Sequence, residues 1–134
     1  MDCLFCKIAS KEIPAEIIYE DDNAIAFLDI NPLTPGHTIV IPKTHAENII
    51  DLGENETSSL FLAVKKVTSL LQEKLSPKGF TIGINHGEIS GQTVPHLHIH
   101  IIPRYEGDNG GSIHSVVKLT VSETISETKK KITG

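Results

Sequence analysis

Tryptophan is absent from this chain, and only four phenylalanines and two tyrosines supply aromatic bulk. A core built from this composition must be mostly aliphatic. At 134 residues the chain can form one compact domain and is too short for two comfortable ones. No run approaches the roughly 18 apolar residues of a membrane span. The opening stretch, MDCLFCKIASKEIP, lacks the basic and long apolar segments of a secretory signal. These absences predict a soluble cytoplasmic protein with no membrane partner. Positive charge is also scarce. Twelve Lys and Arg stand against seventeen Asp and Glu, a net charge of −5, so nothing favours a nucleic acid partner. The one basic run, Lys129 to Lys131, reads as a solvated tail. Cysteine is limited to Cys3 and Cys6, spaced CxxC, which in a cytosolic chain means redox chemistry or metal. No strand precedes the pair, so the redox reading is the weaker one.

What is present is a regular pattern. Residues 4–12 predict a short helix stopped by Pro14. EIIYED (16–21) and NAIAFLDI (23–30) predict two strands around the turn Asp21–Asp22–Asn23. In the second, Ile25, Phe27 and Asp29 share one face and Ala24, Ala26, Leu28 and Ile30 the other. NPLTPG ends it, HTIVIP (37–42) predicts a third strand closed by Pro42, and residues 44–51 suit a short helical turn. Leu60, Val64, Val67, Leu71 and Leu75 form one apolar stripe of a long helix over 56–75, with Asn55 as N-cap. Residues 79–85 and 96–104 predict strands four and five. The segment 105–134 is polar, with one helix expected near 119–131. The fold class that follows is α+β: an antiparallel five-stranded sheet with one long helix and a short N-terminal helix.

The fifth strand, HLHIHIIPR, sets His96, His98 and His100 on alternate positions, with Leu97, Ile99 and Ile101 between them. On a strand the three imidazoles share a face, about 6.5–7 Å apart, and the aliphatic residues back them against the long helix. Packing alone would not repay desolvation of three imidazoles. One ion cannot take all three, because the outer pair lies about 13–14 Å apart on a flat strand. Two neighbours could still share a metal; nucleophilic catalysis is the third reading, and an imidazole nucleophile suits phosphorus. The preceding loop, NHGEISGQTVPH, offers Asn85, Gln92, Thr93 and amides freed by Gly87 and Gly91 as donors for phosphate oxygens.

HLHIHII resembles the signature of the histidine-triad (HIT) superfamily of nucleotide hydrolases and transferases. CKIASKEIPAEIIYEDDNAIAFLDINPLTPGHTIVIPKTHAENI resembles the N-terminal half of its nucleoside phosphoramidase branch, in the bacterial and archaeal type with an N-terminal CxxC zinc site. GINHGEISGQTVPH resembles that branch's phosphate loop, and HIIPR is similar to the fragile-histidine-triad branch. The resemblance covers about residues 3–104 of a single domain, 1–134, and leaves 105–134 less defined.

The resemblance implies that His98 attacks the α-phosphorus of a purine nucleotide of adenosine or guanosine type. A nucleotidyl-histidine intermediate forms, and water then releases the nucleoside monophosphate. His100, His96 and His37 complete the catalytic set. Asn85, Gln92 and Thr93 bind phosphate together with His98 and His100. Asp29 holds the ribose, and Phe27, Ile30, Leu4, Phe5 and Ile8 wall the base. Cys3, Cys6, His45 and His96 would hold one structural Zn2+ per chain, and no organic cofactor is implied. The substrates implied are nucleoside phosphoramidates or (di)nucleoside polyphosphates. A nucleotide-binding regulatory module and a nucleotidyl transferase are the alternatives. A homodimer, paired through the long helix and a strand, is implied as well. Residues 105–134 follow neither branch, so the leaving group is open between an amine, a second nucleotide and sulfate.

Overall fold

The computed structural model describes residues 2–134. Five strands form one antiparallel sheet: β1 (Ile17–Glu20), β2 (Ala24–Leu28), β3 (Thr38–Pro42), β4 (Gly79–Gly83) and β5 (Ile99–Arg104). Their order is β1-β2-β3-β5-β4. The long helix, α2 (Glu54–Leu75), carries the chain from β3 across to the edge strand β4, and β5 then returns between them. A six-residue helix, α1 (Leu4–Ala9), precedes the sheet, and α3 (Ile125–Thr133) ends the chain.

Period-two alternation sorts each strand between two apolar layers. Ala24 and Ala26 of β2, Val40 of β3 and Ile99 and Ile101 of β5 meet Leu60, Ala63, Val64, Val67 and Leu71 of α2. On the opposite face Ile25, Phe27, Ile39 and Ile41 meet Cys3, Phe5 and Ile8 of the α1 segment. The alanines on the α2 side leave room for a helix backbone to approach, so a core poor in aromatics still closes. The central strands are buried on both faces and hold still what they carry.

Five expectations need correction. The fifth strand starts at Ile99, not at His96. Pairing between β3 and β5 stops at Val40–Ile99, so Ile41 and Pro42 meet no ladder partner on β5. Residues 96–98 instead form a lead-in outside the ladder, bent at His96, in which the Leu97 amide bonds the Ala46 carbonyl at 2.7 Å. The N-cap of α2 is Gly53 rather than Asn55, and it caps without a side chain. Glu54 and Glu56 in the first turn supply the negative charge that the helix N-terminus favours. Leu75 leaves the buried stripe, being 43% exposed where Ser76 turns left-handed (φ 49°), and Ala63 fills the face instead. The terminal helix begins at Ile125 rather than 119, because Thr124 and Glu127 form a reciprocal capping box there. α1 likewise ends at Ala9 rather than 12, with Ser10 as its C-cap.

These burial differences give a direct test. Leu60→Ala should lower the unfolding free energy by about 2–4 kcal/mol, and Leu75→Ala by less than about 1 kcal/mol. Urea denaturation of both variants checks this; equal losses would return Leu75 to the core stripe.

Candidate active site and metal site

The backbone around each histidine decides which ring nitrogen carries the proton. His98 Nδ1 lies 2.8 Å from the carbonyl oxygen of His96. A carbonyl only accepts, so Nδ1 is protonated and Nε2 keeps a bare lone pair. His37 shows the reverse case. Its Nδ1 accepts the Leu33 amide at 3.1 Å, so the proton sits on Nε2. That Nε2–H points at His100 Nδ1, 2.9 Å away. His100 therefore carries its own proton on Nε2. The chain Leu33 to His37 to His100 runs in one direction and ends on a donor.

These rings are packed. His37, His96 and His98 are buried, and His100 is half-buried. His98 stands edge-on to Phe5, with centroids 5.0 Å apart, and edge-on to His100, 5.2 Å apart. Burial pushes His37 below its ordinary range, while the nearby Asp29 carboxylate, 3.5 Å from Nε2, acts the other way. Burial also lowers His100, from 6.5 to about 4, with the charges that His98 and His37 would carry adding to the effect. At neutral pH His100 is an uncharged donor.

The expected metal ligands come together from three parts of the chain. Cys3 Sγ lies 3.4 Å from His96 Nδ1, and Cys6 Sγ lies 3.3 Å from His45 Nδ1 and 3.6 Å from His96 Nδ1. The two nitrogens are 3.2 Å apart. Zinc bonded to sulfur at about 2.3 Å and to nitrogen at about 2.0–2.1 Å has tetrahedral S–N edges of about 3.5 Å and an N–N edge of about 3.3 Å. The four atoms therefore fit zinc. The His96 Nε2–H bonds the Pro42 carbonyl at 2.9 Å, which fixes the ring and leaves Nδ1 as the ligand.

The remaining predicted residues divide. Asp29 accepts the Asn31 amide through Oδ1 at 2.9 Å and turns Oδ2 toward His37. Phe5, Ile8 and Phe27 are buried in the layer behind the site, whereas Leu4 and Ile30 are open to solvent. Asn85 lines the same cavity as His37 and His100 and lies against Gly91, where a Cβ would stand 3.6 Å from its Nδ2. Gln92 departs from expectation. Its Oε1 accepts the Gly87 amide at 2.8 Å, and its Nε2 donates to the Glu47 and Val94 carbonyls. Gln92 is thus a brace across its own loop. The Gly87 and Gly91 amides are spent inside that loop too, on Gln92 Oε1 and the Glu88 carbonyl. The two glycines shape the loop instead, at φ +89° and +105°, where a side chain would be strained.

Residues that sequence reasoning missed lie just past the last histidine. Arg104 is bonded to Asp108 through Nε at 2.8 Å and Nη2 at 3.1 Å, and its Nη1 reaches Thr81 and the Gly111 carbonyl. The four-residue spacing of opposite charges was the available signal. His86 and His114 are exposed and stand apart from the triad.

A model of the HIT domain matches residues 10–107. A HIT-like protein of Methanocaldococcus jannaschii is 49% identical over 106 residues, spanning 79% of this chain and 81% of that one. The crystal structure of a HIT family member from Bacillus subtilis aligns with a TM-score of 0.86 at 37% identity, covering 98% of this chain and 93% of the other. A zinc-bound histidine triad family protein from Mycobacterium smegmatis aligns with a TM-score of 0.76 at 41% identity, covering 81% and 79%.

The depressed His100 has a consequence for stability. Its folded-state value lies below its unfolded one, so its contribution is complete above pH 6.5 and is lost as pH falls toward 4. Wild-type protein should lose on the order of 2 kcal/mol more than His100→Asn over that window. Urea titrations at pH 7, 5.5 and 4 measure the difference, in which any metal loss cancels; parallel slopes would contradict it.

Proposed function

The chain belongs to the HIT-domain family, and from that premise we propose that it hydrolyses purine nucleotides at the α-phosphorus through a nucleotidyl intermediate on His98. The observation that carries this reading is the bare Nε2 of His98, held in that tautomer by the His96 carbonyl. A neutral imidazole with a free lone pair needs no prior deprotonation to attack. Bond formation between Nε2 and phosphorus expels the leaving group, which takes up a proton. Water then attacks phosphorus, its hydroxyl staying on the nucleoside monophosphate, and His98 is regenerated. The Nε2–H of His100, the amide of Asn85 and the hydroxyl of Thr93 are the donors we assign to the phosphate oxygens. Thr93 is exposed, and among the described residues neither its hydroxyl nor the Asn85 side chain is engaged within the chain. We assign the ribose to Asp29 and the base to the apolar surface of Leu4 and Ile30, backed by Phe27, Phe5 and Ile8.

We also assign one structural zinc to Cys3, Cys6, His45 and His96. All four tetrahedral positions are protein ligands, so the ion would tie α1 to the loop after β3 and the lead-in of β5 without meeting substrate. Two free thiols kept as ligands suit a reducing compartment such as the cytoplasm. No described helix is long and apolar enough to cross a membrane. The unpaired edge of β4, with Ile82 exposed on it and Phe61 and Leu62 exposed on α2, supports a homodimer.

His98→Ala should lose at least about 1000-fold in release of AMP from an adenosine phosphoramidate. Rapid quenching of wild-type enzyme followed by peptide mass spectrometry should show adenylate on His98. Equal turnover in the two proteins would refute the proposal, and ADP appearing when phosphate is added would make the enzyme a transferase. Protein purified without added metal should carry about one zinc per chain, and Cys3→Ser/Cys6→Ser should lose it while unfolding more easily. Unchanged metal content in that variant would remove the cysteines from the site.

A further inference from the structure

Both sulfur ligands of the proposed zinc site lie in the first turn of α1. Cys3 is the N-cap and accepts the Cys6 amide through Sγ at 3.4 Å. Cys6 stands three residues on, and the two Sγ atoms lie within 4.8 Å of each other. Neither is in a disulfide. Helical spacing alone keeps them adjacent, so no distant element has to move for them to meet. As thiolates they are metal ligands; bonded to each other they carry no charge to offer a metal. One pair of atoms serves either bond and never both. Exposure orders an attack from solvent, because Cys6 is half-buried while Cys3 is only 4% exposed.

Pairing of the sulfurs would leave two imidazoles, and these differ in burial. His45 is exposed, whereas His96 is 0% exposed. Their Nδ1 atoms are 3.2 Å apart. His96 donates its Nε2 proton to the Pro42 carbonyl, so its Nδ1 is a bare acceptor. With thiolates and ion gone, His45 turns out to water. His96 has no such exit, and a buried acceptor without a partner costs stability. Residue 96 therefore has to shift, and its carbonyl is the group that keeps the His98 proton on Nδ1. Phe5 carries the same disturbance by a second route. It lies between the two cysteines in sequence and stands edge-on to His98, with centroids 5.0 Å apart.

We propose that Cys3 and Cys6 are a site of reversible oxidation by peroxide, and that their disulfide disarms His98 by releasing residue 96. The proposal rests on the zinc assignment above, and on the hydrolase reading for its effect on turnover. The Cys6 thiolate attacks one peroxide oxygen, becoming a sulfenic acid as hydroxide departs. The Cys3 thiolate then attacks the Cys6 sulfur, the S–O bond breaks and a second hydroxide leaves. Two electrons pass from the sulfurs to the peroxide, and the two histidines that remain release Zn2+ to solution. A dithiol reverses the step: it is oxidised to its own disulfide and both thiolates return. Without the His96 carbonyl, His98 shares its proton between both nitrogens, and the fraction protonated on Nε2 has no lone pair for attack.

The test treats zinc-loaded wild-type protein with hydrogen peroxide. Met1 is the only other sulfur in the chain, and trypsin releases all three in the peptide MDCLFCK, so one mass reports the products. That peptide should lose two hydrogens, and about one zinc per chain should pass to a chromophoric chelator. Nitrogen NMR of isotopically labelled protein should find the His98 proton on Nδ1 before oxidation and on both nitrogens afterwards, with the amide signals of β2 and β3 kept. AMP release from an adenosine phosphoramidate should fall at least about ten-fold and return with dithiothreitol and zinc. A disulfide and free zinc with the His98 proton and turnover unchanged would overturn the switch. Inactivation with both thiols intact would do the same, and oxidation to sulfinic acid without recovery would overturn its reversibility. Reduced protein purified without zinc would refute the metal assignment and the switch together. Reduced, zinc-loaded protein that turns over no nucleotide would refute the hydrolase reading alone, because zinc release and the NMR spectrum still decide the switch.

Discussion

The hydrogen bond from His98 Nδ1 to the carbonyl of His96 is the constraint on which the site depends. It spans two residues of one segment, so it costs little loop entropy. Its effect on stability is that of an ordinary hydrogen bond, about 1 kcal/mol. Its chemical effect is larger, because it selects the tautomer in which Nε2 carries no proton. The bond holds only while residue 96 stays still. His96 is fully buried, its Nε2–H is on Pro42, and its Nδ1 faces Cys3, Cys6 and His45. One histidine thus serves the cluster of Cys3, Cys6 and His45 with its ring and the neighbouring imidazole with its backbone.

The two faces of the sheet divide the work. The α2 face is closed by aliphatic packing, and its role is rigidity. The α1 face carries buried polar rings, whose desolvation would lower stability if any nitrogen were left unpaired. Among the described residues no buried side-chain nitrogen or oxygen lacks a partner. Those partners are mostly backbone groups: Leu33 N–H, the Pro42 carbonyl and the His96 carbonyl. Tying rings to backbone rather than to flexible side chains holds them within the tolerance that catalysis needs. α1 is too short to be stable by itself. Its place comes from Phe5 and Ile8 in the core and from Cys3 and Cys6 beside the two histidines, and Phe5 in turn packs on His98.

Side-chain pattern made much of this legible. Alternation placed Ile25 and Phe27 opposite Ala24 and Ala26, and Leu97, Ile99 and Ile101 toward α2, because a strand has only two faces. The histidines at 37, 96, 98 and 100 were visible as residues, and resemblance grouped 45 and 96 with the cysteines. Their proton positions were not visible, since a backbone carbonyl or amide leaves no trace in residue type. Gln92 was misjudged for a related reason: a side-chain amide suits a phosphate and a loop brace equally well, and only the Gly87, Glu47 and Val94 geometry separates the two. Flatness was the other error. A strand from 96 to 104 assumes ladder partners throughout, yet β3 ends at Pro42 and its carbonyl goes to the His96 ring. That bend lets the first histidine join the cysteines while the third joins His37. Apart from its terminal helix, the segment after Arg104 was not readable because it lacks periodicity; the Arg104–Asp108 pair and the Gly111 carbonyl on the same guanidinium hold its first turn.

Neutrality at His100 follows from the same packing and bears on the proposed reaction. A positive charge beside the phosphate would aid binding, so an uncharged donor calls for a reason. As the Nε2–P bond forms on His98, its imidazole gains positive charge. A protonated His100 would stand about 5 Å away, by the 5.2 Å between ring centroids. With an effective dielectric constant of about 20, two like charges at that distance repel by about 3 kcal/mol, or roughly a hundred-fold in rate. Burial removes that repulsion by keeping His100 uncharged at neutral pH. His37 sets the ring's direction, so the phosphate still meets a hydrogen-bond donor.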